Sequence, residues 1–208
     1  MLSRVRSHVP DRPLLLLSAL AEGADQLAAE VALEQGITLA AVLPMPLDIY
    51  RVQMAEESLM MLDKLLALSD VEIAISLGSD TLEQISTSMD ARAQCYEALA
   101  RYLVCHADVL IALWDGRESE KLGGTCRVVQ YARFSRAPGA KEIVESQCET
   151  VFHVITPRVS NKRPAQDIQT VTLACETHEV PALQRIGSKQ SWRVIRANAN
   201  LNLERFKS

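Results

Sequence analysis

The 208-residue chain is predicted to fold as an α/β domain, a Rossmann-like three-layer α/β/α arrangement around a mostly parallel sheet. Three observations carry that expectation. Short apolar runs recur without polar alternation, as strands buried on both faces require. Segments with apolar residues at helical spacing lie between them. Glycine and proline stand at the junctions. Strands alternating with helices imply right-handed crossovers and a parallel sheet.

The elements follow in order. Residues 14–18 (LLLLS) form the first buried run, bounded by Pro13 and by Glu22-Gly23. From Asp25, Leu27, Ala28, Val31 and Ala32 recur at helical spacing up to Gly36, a natural helix terminator. Residues 37–43 make the second strand, stopped by Pro44-Met45-Pro46, since proline cannot continue a ladder. Residues 49–68 read as one helix, with Met54, Leu59, Met61, Leu62, Leu65, Leu66 and Leu68 crowding one side. Residues 71–75 form a third short strand, and residues 89–105 another helix with Ala93, Tyr96, Leu99, Ala100, Leu103 and Val104 in register. The clearest strand is 109–113, ending at Trp114-Asp115-Gly116. A charged loop, Gly123-Gly124-Thr125 and a helix over 126–134 come next, then a last strand at 151–155. After Arg158 the periodicity fades. The expected division is therefore a domain over 1–158 and a C-terminal tail or edge addition over 159–208.

Composition narrows the function classes. Hydrophobic residues at 48% and charged residues at 23% are globular averages, as is the mean hydropathy of +0.03. A net charge of −4 offers no general attraction to nucleic acid or anionic lipid, so no nucleic-acid partner is expected. Five scattered cysteines with no CxxC and no zinc spacing fit reduced thiols in a cytoplasmic protein. Arg4, Arg6 and Arg12 before the leucine run, with Ala19-Leu20-Ala21 after it, imitate a secretory leader. The apolar run is short, however, and Asp11 and Pro13 precede it, which suits a strand better. No run approaches the ~20 apolar residues of a spanning helix.

Ligands of open parallel sheets bind outside the carboxyl ends of the strands. Two loops there have suitable composition. In Ser18-Ala19-Leu20-Ala21-Glu22-Gly23-Ala24-Asp25, Gly23 permits a tight turn, the first amides of the next helix can face an anion, and Asp25 is expected to cap that helix. In the loop from Trp114 to Thr125, the glycine pair lets backbone approach a ligand, and Thr125 can cap the helix or bind phosphate. Neither loop is a G-x-G-x-x-G or Walker motif. Arg92, near a helix start, suits a ligand or a carboxylate partner, because a cation there opposes the helix dipole. Asp115, beside Gly116, suits ribose hydroxyls or the capping of the next turn. Trp114 and Tyr50 can stack on a base or serve as packing residues. The four histidines show no metal spacing, His106 being placed to cap a helix end, and neither metal nor cofactor is expected.

These residues resemble the SLOG superfamily over about residues 14–136. That Rossmann-like group includes the Lonely Guy cytokinin-activating hydrolases, the DNA-processing protein A fold and the N-terminal region of melastatin-type TRP channels. Residues 18–25 look like its S-G-x-A-x-G-x-D loop, and residues 107–113 followed by Gly123-Gly124-Thr125 look like its strand and P-G-G-x-G-T element. LSALAEGAD, AVLPMP, ADVLIALWDG and GGT together resemble bacterial SLOG proteins without assigned enzyme activity, associated with nucleotide sensing or defence. The family opens with a further strand and a G-x-R-like loop, and this chain has neither, so the first family strand is expected to be missing. Met89-Asp90-Ala91-Arg92 resembles the M-x-x-R segment with the catalytic arginine of the Lonely Guy enzymes. Their glutamate two residues after G-T is here Arg127.

The resemblance implies a module that binds or senses a nucleotide-derived, ADP-ribose-like ligand, its phosphates on Gly123-Gly124-Thr125 and on Glu22-Gly23-Ala24-Asp25. Two other readings compete with it. One is a nucleoside-monophosphate phosphoribohydrolase, or another N-glycosidase, using Arg92 with Glu22 or Asp115. The other is a structural or oligomerisation domain with a vestigial pocket, in which the methionine-rich 49–68 stretch makes a homo-oligomer face. A core-facing helix explains that stretch equally well.

Overall fold

The computed structural model describes residues 1–75, 82–119, 122–136, 144–156 and 169–175. The chain divides after Arg92 into two compact units. The expected α/β class with a mostly parallel strand arrangement is present, and the described strands form two sheets of three.

In the first unit, α1 (Leu2–His8) precedes β1 (Leu15–Ser18), α2 (Ala24–Glu34), β2 (Thr38–Leu43), α3 (Leu47–Arg51), α4 (Glu56–Leu68), β3 (Val71–Ala74) and α5 (Leu82–Thr87). The sheet order β1-β2-β3 is parallel throughout, with Leu15 opposite Thr38 and Ala40 opposite Val71. Strand β2 is central and buried from Leu39 to Leu43, as an unbroken apolar run demands. Helix α2 ends with the Gly36 amide on the Leu33 carbonyl and the Ile37 amide on that of Ala32, the paired bonds of a Schellman stop.

Two expectations change here. Helix α2 turns Gln26, Ala29 and Ala32 inward and leaves Leu27 58% exposed. The cause is polar: the Gln26 amide donates to the Leu20 and Ser58 carbonyls and draws that face in. The helix expected over 49–68 is two helices. Tyr50 is fastened by its hydroxyl to the Ala19 carbonyl at 3.1 Å, whereas Leu62 and Leu65 pack in the core with Ala29 and Leu39. The chain meets both anchors by breaking at 52–55, and Arg51 of α3 then pairs with Asp63 of α4. Leu68 falls outside the core and is exposed.

Helix α6 (Met89–His106) carries the chain into the second unit, where β4 (Val109–Trp114), α7 (Thr125–Phe134), β5 (Thr150–Ile155) and β6 (Gln169–Ala174) follow. Strands β4 and β5 are parallel, and β6 runs antiparallel along β5. Helix α7 is the crossover between β4 and β5, and Val129, Tyr131 and Ala132 join Ala112 and Val151 in the core. Strand β6, within the stretch expected to be a tail or edge addition, has the exposed pattern of an edge strand.

Candidate functional site

The turn after β1 is built by short-range polar bonds. Ser18, buried at the strand's end, accepts the Leu20 amide on its Oγ at 3.1 Å. Leu20 is fully buried with φ +53, a left-handed conformation that bulky side chains rarely adopt. It is held from both sides, its amide on Ser18 and its carbonyl by Gln26, and Tyr50 braces the Ala19 carbonyl beside it. Such over-determined strain gathers at functional sites. Glu22 and Gly23 are exposed, Ala24 and Asp25 half-buried.

Gly23, not Asp25, is the N-cap of α2, and no side chain caps that helix. Its φ of +91 is costly for any other residue. Asp25 instead has its carboxylate hydrogen-bonded by the Ala21 backbone. Burial pushes the Asp25 carboxyl up from its ordinary value, and the Ala21 contact offsets only part of this. The ionised Asp25 carboxylate therefore opposes folding at neutral pH.

In the second unit, Trp114 closes β4, and its carbonyl accepts both the Thr156 amide and His153 Nε2, each at 3.0 Å. A carbonyl only accepts, so Nε2 carries the proton. Asp115 Oδ1 accepts the Arg117 amide at 3.2 Å, so it caps the following turn. Gly116 is exposed and lies against the His153 ring. Helix α7 opens on Gly124, again without a side-chain cap. Thr125 is therefore the first helical residue, exposed, and not the cap. The Arg127 and Val128 amides return to the Gly124 carbonyl, while helix geometry gives the Thr125 and Cys126 amides no intrahelical partner. No acidic residue occupies the first turn of α7, which leaves its positive end free for an anion.

That turn is clamped to α6 in two ways. Gly123 lies so close to Tyr96 that an added Cβ would come within 2.2 Å of the Tyr96 Cβ. Arg127, 9% exposed, donates from Nε to Glu97 Oε2 at 3.1 Å. Glu97 also accepts the Tyr131 hydroxyl and stands 3.5 Å from Arg101. Burial, followed by the Glu97 hydrogen bond, pushes the Tyr131 hydroxyl up. Arg127, at the position of the hydrolases' glutamate, is thus a bracing residue.

Arg92 is half-buried in the first turn of α6, its backbone amide on the Ser88 carbonyl. Among the described residues its guanidinium has no hydrogen bond or ion pair. Tyr50 is 1% exposed and serves as a strut, not a stacking surface. Sequence reasoning missed Gln26, Glu97 and the strain at Leu20. Among the buried polar residues, which include Ser18 and Arg127, His153 carried a signal, a polar residue inside VFHVI; Gln26 carried none. Among the described residues no cluster of three or more potential ligands could hold a metal ion, and no helix is long and apolar enough to cross a membrane. Compared with known proteins, the chain matches no family model and no curated protein sequence.

Proposed function

We propose that the protein binds a nucleotide-derived ligand at the carboxyl ends of its strands and acts as a sensor of it, in keeping with the resemblance to SLOG proteins. One observation carries the reading. In both glycine turns the helix opens on a glycine with no side-chain cap, α2 on Gly23 and α7 on Gly124. Backbone amides so presented bind phosphate without a dedicated cation. Each turn is a binding element of its own unit, and the two differ in what they suit. The α7 turn, without an acidic residue, suits phosphate. The α2 turn holds Asp25 within its first turn, and its carboxyl suits a hydroxyl-bearing group such as ribose.

The test is thermal unfolding against AMP, ADP, ADP-ribose, NAD and cyclic nucleotides, paired with chromatographic detection of a released base. A ligand present at 100 times its dissociation constant adds about 2.7 kcal/mol. The reading expects a shift with one of these ligands and no turnover. Gly124→Val abolishes the shift while the fold persists, because the Gly124 backbone angles, φ −75 and ψ 162, are open to other residues. Base release abolished by Arg92→Ala would instead make the protein a hydrolase. No shift with any nucleotide would refute the sensor.

A further inference from the structure

The second unit brings two thiols together that no ligand-binding role uses. Cys148 lies two residues before β5 and is 6% exposed, and Cys175 directly follows β6 and is half-buried. The pairing of Thr150 with Ala174 brings these strand ends side by side. Both cysteines pack on one apolar cluster, and the thiols hydrogen-bond to each other. Both are reduced. We propose that Cys148 and Cys175 are a reversible dithiol site, which a low-molecular-weight disulfide oxidises to an intrachain disulfide that fastens the edge strand β6 to β5.

The surroundings assign the order of events. Arg133 of α7 donates from Nε to the Ala174 carbonyl at 3.1 Å. Burial pushes the Cys175 thiol up from its ordinary value, and the Cys148 hydrogen bond and the Arg133 charge offset part of this. Cys148 lies deeper, its Sγ donating to the Thr150 carbonyl at 3.3 Å. Burial first, then the neighbouring Cys175, pushes the Cys148 thiol up to about 12. Cys175 is the more exposed of the two thiols, so its thiolate attacks the small disulfide. Its sulfur bonds to one sulfur of that molecule, and the other leaves as a thiolate. With Cys175 no longer charged, burial opposes ionisation of Cys148, and hydrogen bonds with the Leu110 and Thr150 backbone favour it. Cys148 then gives its proton to solvent and attacks the Cys175 sulfur, releasing the second small thiolate. Two electrons pass from the protein to the small disulfide, which becomes two thiols.

The experiment treats the reduced full chain with oxidised glutathione, quenches with acid and an alkylating reagent, and maps non-reduced peptides by mass spectrometry. The expected product is a Cys148–Cys175 linked peptide, an intact mass lower by two hydrogens, and slower hydrogen exchange at β6 amides, all reversed by dithiothreitol. Cys175→Ser, at a half-buried position, is expected to keep the melting temperature of the reduced protein and lose the cross-link. It serves also if Cys148→Ser folds poorly. A glutathione adduct that persists on Cys175 without a cross-link, or pairing through Cys95, Cys105 or Cys126, would overturn the proposal.

Discussion

A methyl group at Gly123 is the sharpest perturbation available, because that glycine is required twice over. Its φ is +69, and an added Cβ would lie 2.2 Å from the Tyr96 Cβ, 2.5 Å from its carbonyl carbon and 2.8 Å from its oxygen. Carbon contacts settle at about 3.5–4.0 Å, so α6 or the turn must move. A left-handed residue with a Cβ costs roughly 1–2 kcal/mol, and overpacking costs about 1–3 kcal/mol. The smaller entropy of the unfolded alanine chain offsets about 0.4–1 kcal/mol. Gly123→Ala should therefore lose about 2–4 kcal/mol in urea unfolding. At about 2–4 °C per kcal/mol for a chain of this size, the melting temperature falls by roughly 5–15 °C. Gly124→Ala, with ordinary backbone angles, should lose less than about 1 kcal/mol. The obstruction is the Tyr96 Cβ and backbone, so the Gly123→Ala loss should persist in a Tyr96→Ala background. An unchanged midpoint for Gly123→Ala, or relief by Tyr96→Ala, would refute the reasoning.

Other outcomes follow from the same geometry. Because burial raises the Asp25 carboxyl above 3.8, the folded state holds that proton more tightly than the unfolded chain, and the folded carboxylate is penalised above the raised value. Asp25→Asn should thus melt higher than wild type at pH 7.5. The advantage should shrink as pH falls towards 4, and a lower melting temperature at pH 7.5 would contradict this. Glu97→Ala removes the carboxylate that Arg127, Arg101 and Tyr131 share and should cost about 3 kcal/mol by denaturant unfolding; a loss below about 1 kcal/mol would show that the cluster is not a brace. Tyr50→Phe leaves the buried Ala19 carbonyl without its donor and should cost about 1–2 kcal/mol. It should also speed hydrogen exchange at the Leu20 amide, whereas exchange at the wild-type rate would remove Tyr50 as the strut.

Strands were legible in the sequence where they are buried or half-buried along their length. Residues 14–18, 37–43, 109–113 and 151–155 stand out because such strands carry few polar positions, here Thr38 and the buried Ser18 and His153. Strand β6 gave no such signal, since its edge position leaves Gln169, Val171 and Thr172 exposed. The face of α2 was misplaced because a glutamine, not a leucine, is drawn inward. The break between α3 and α4 lacks proline or glycine and arises from two tertiary anchors, Tyr50 on Ala19 and Leu62-Leu65 on the core. Both glycine turns were recognised from composition and position. Their internal mechanics were not, because Leu20's conformation and the Glu97–Arg127 pair depend on contacts between segments far apart in sequence. Likewise, Gly123 could be read from sequence as a residue opening backbone to a ligand. Its close approach to Tyr96 shows that packing alone demands a glycine there.

The most direct test is amide chemical-shift mapping on the ¹⁵N-labelled protein, titrated with the nucleotide that gives the largest thermal shift. The account expects the Thr125 and Cys126 amides at the α7 start to move most, with the nucleotide and with inorganic phosphate alike. Shifts confined to other segments, or none at all, would contradict a ligand site at this helix start.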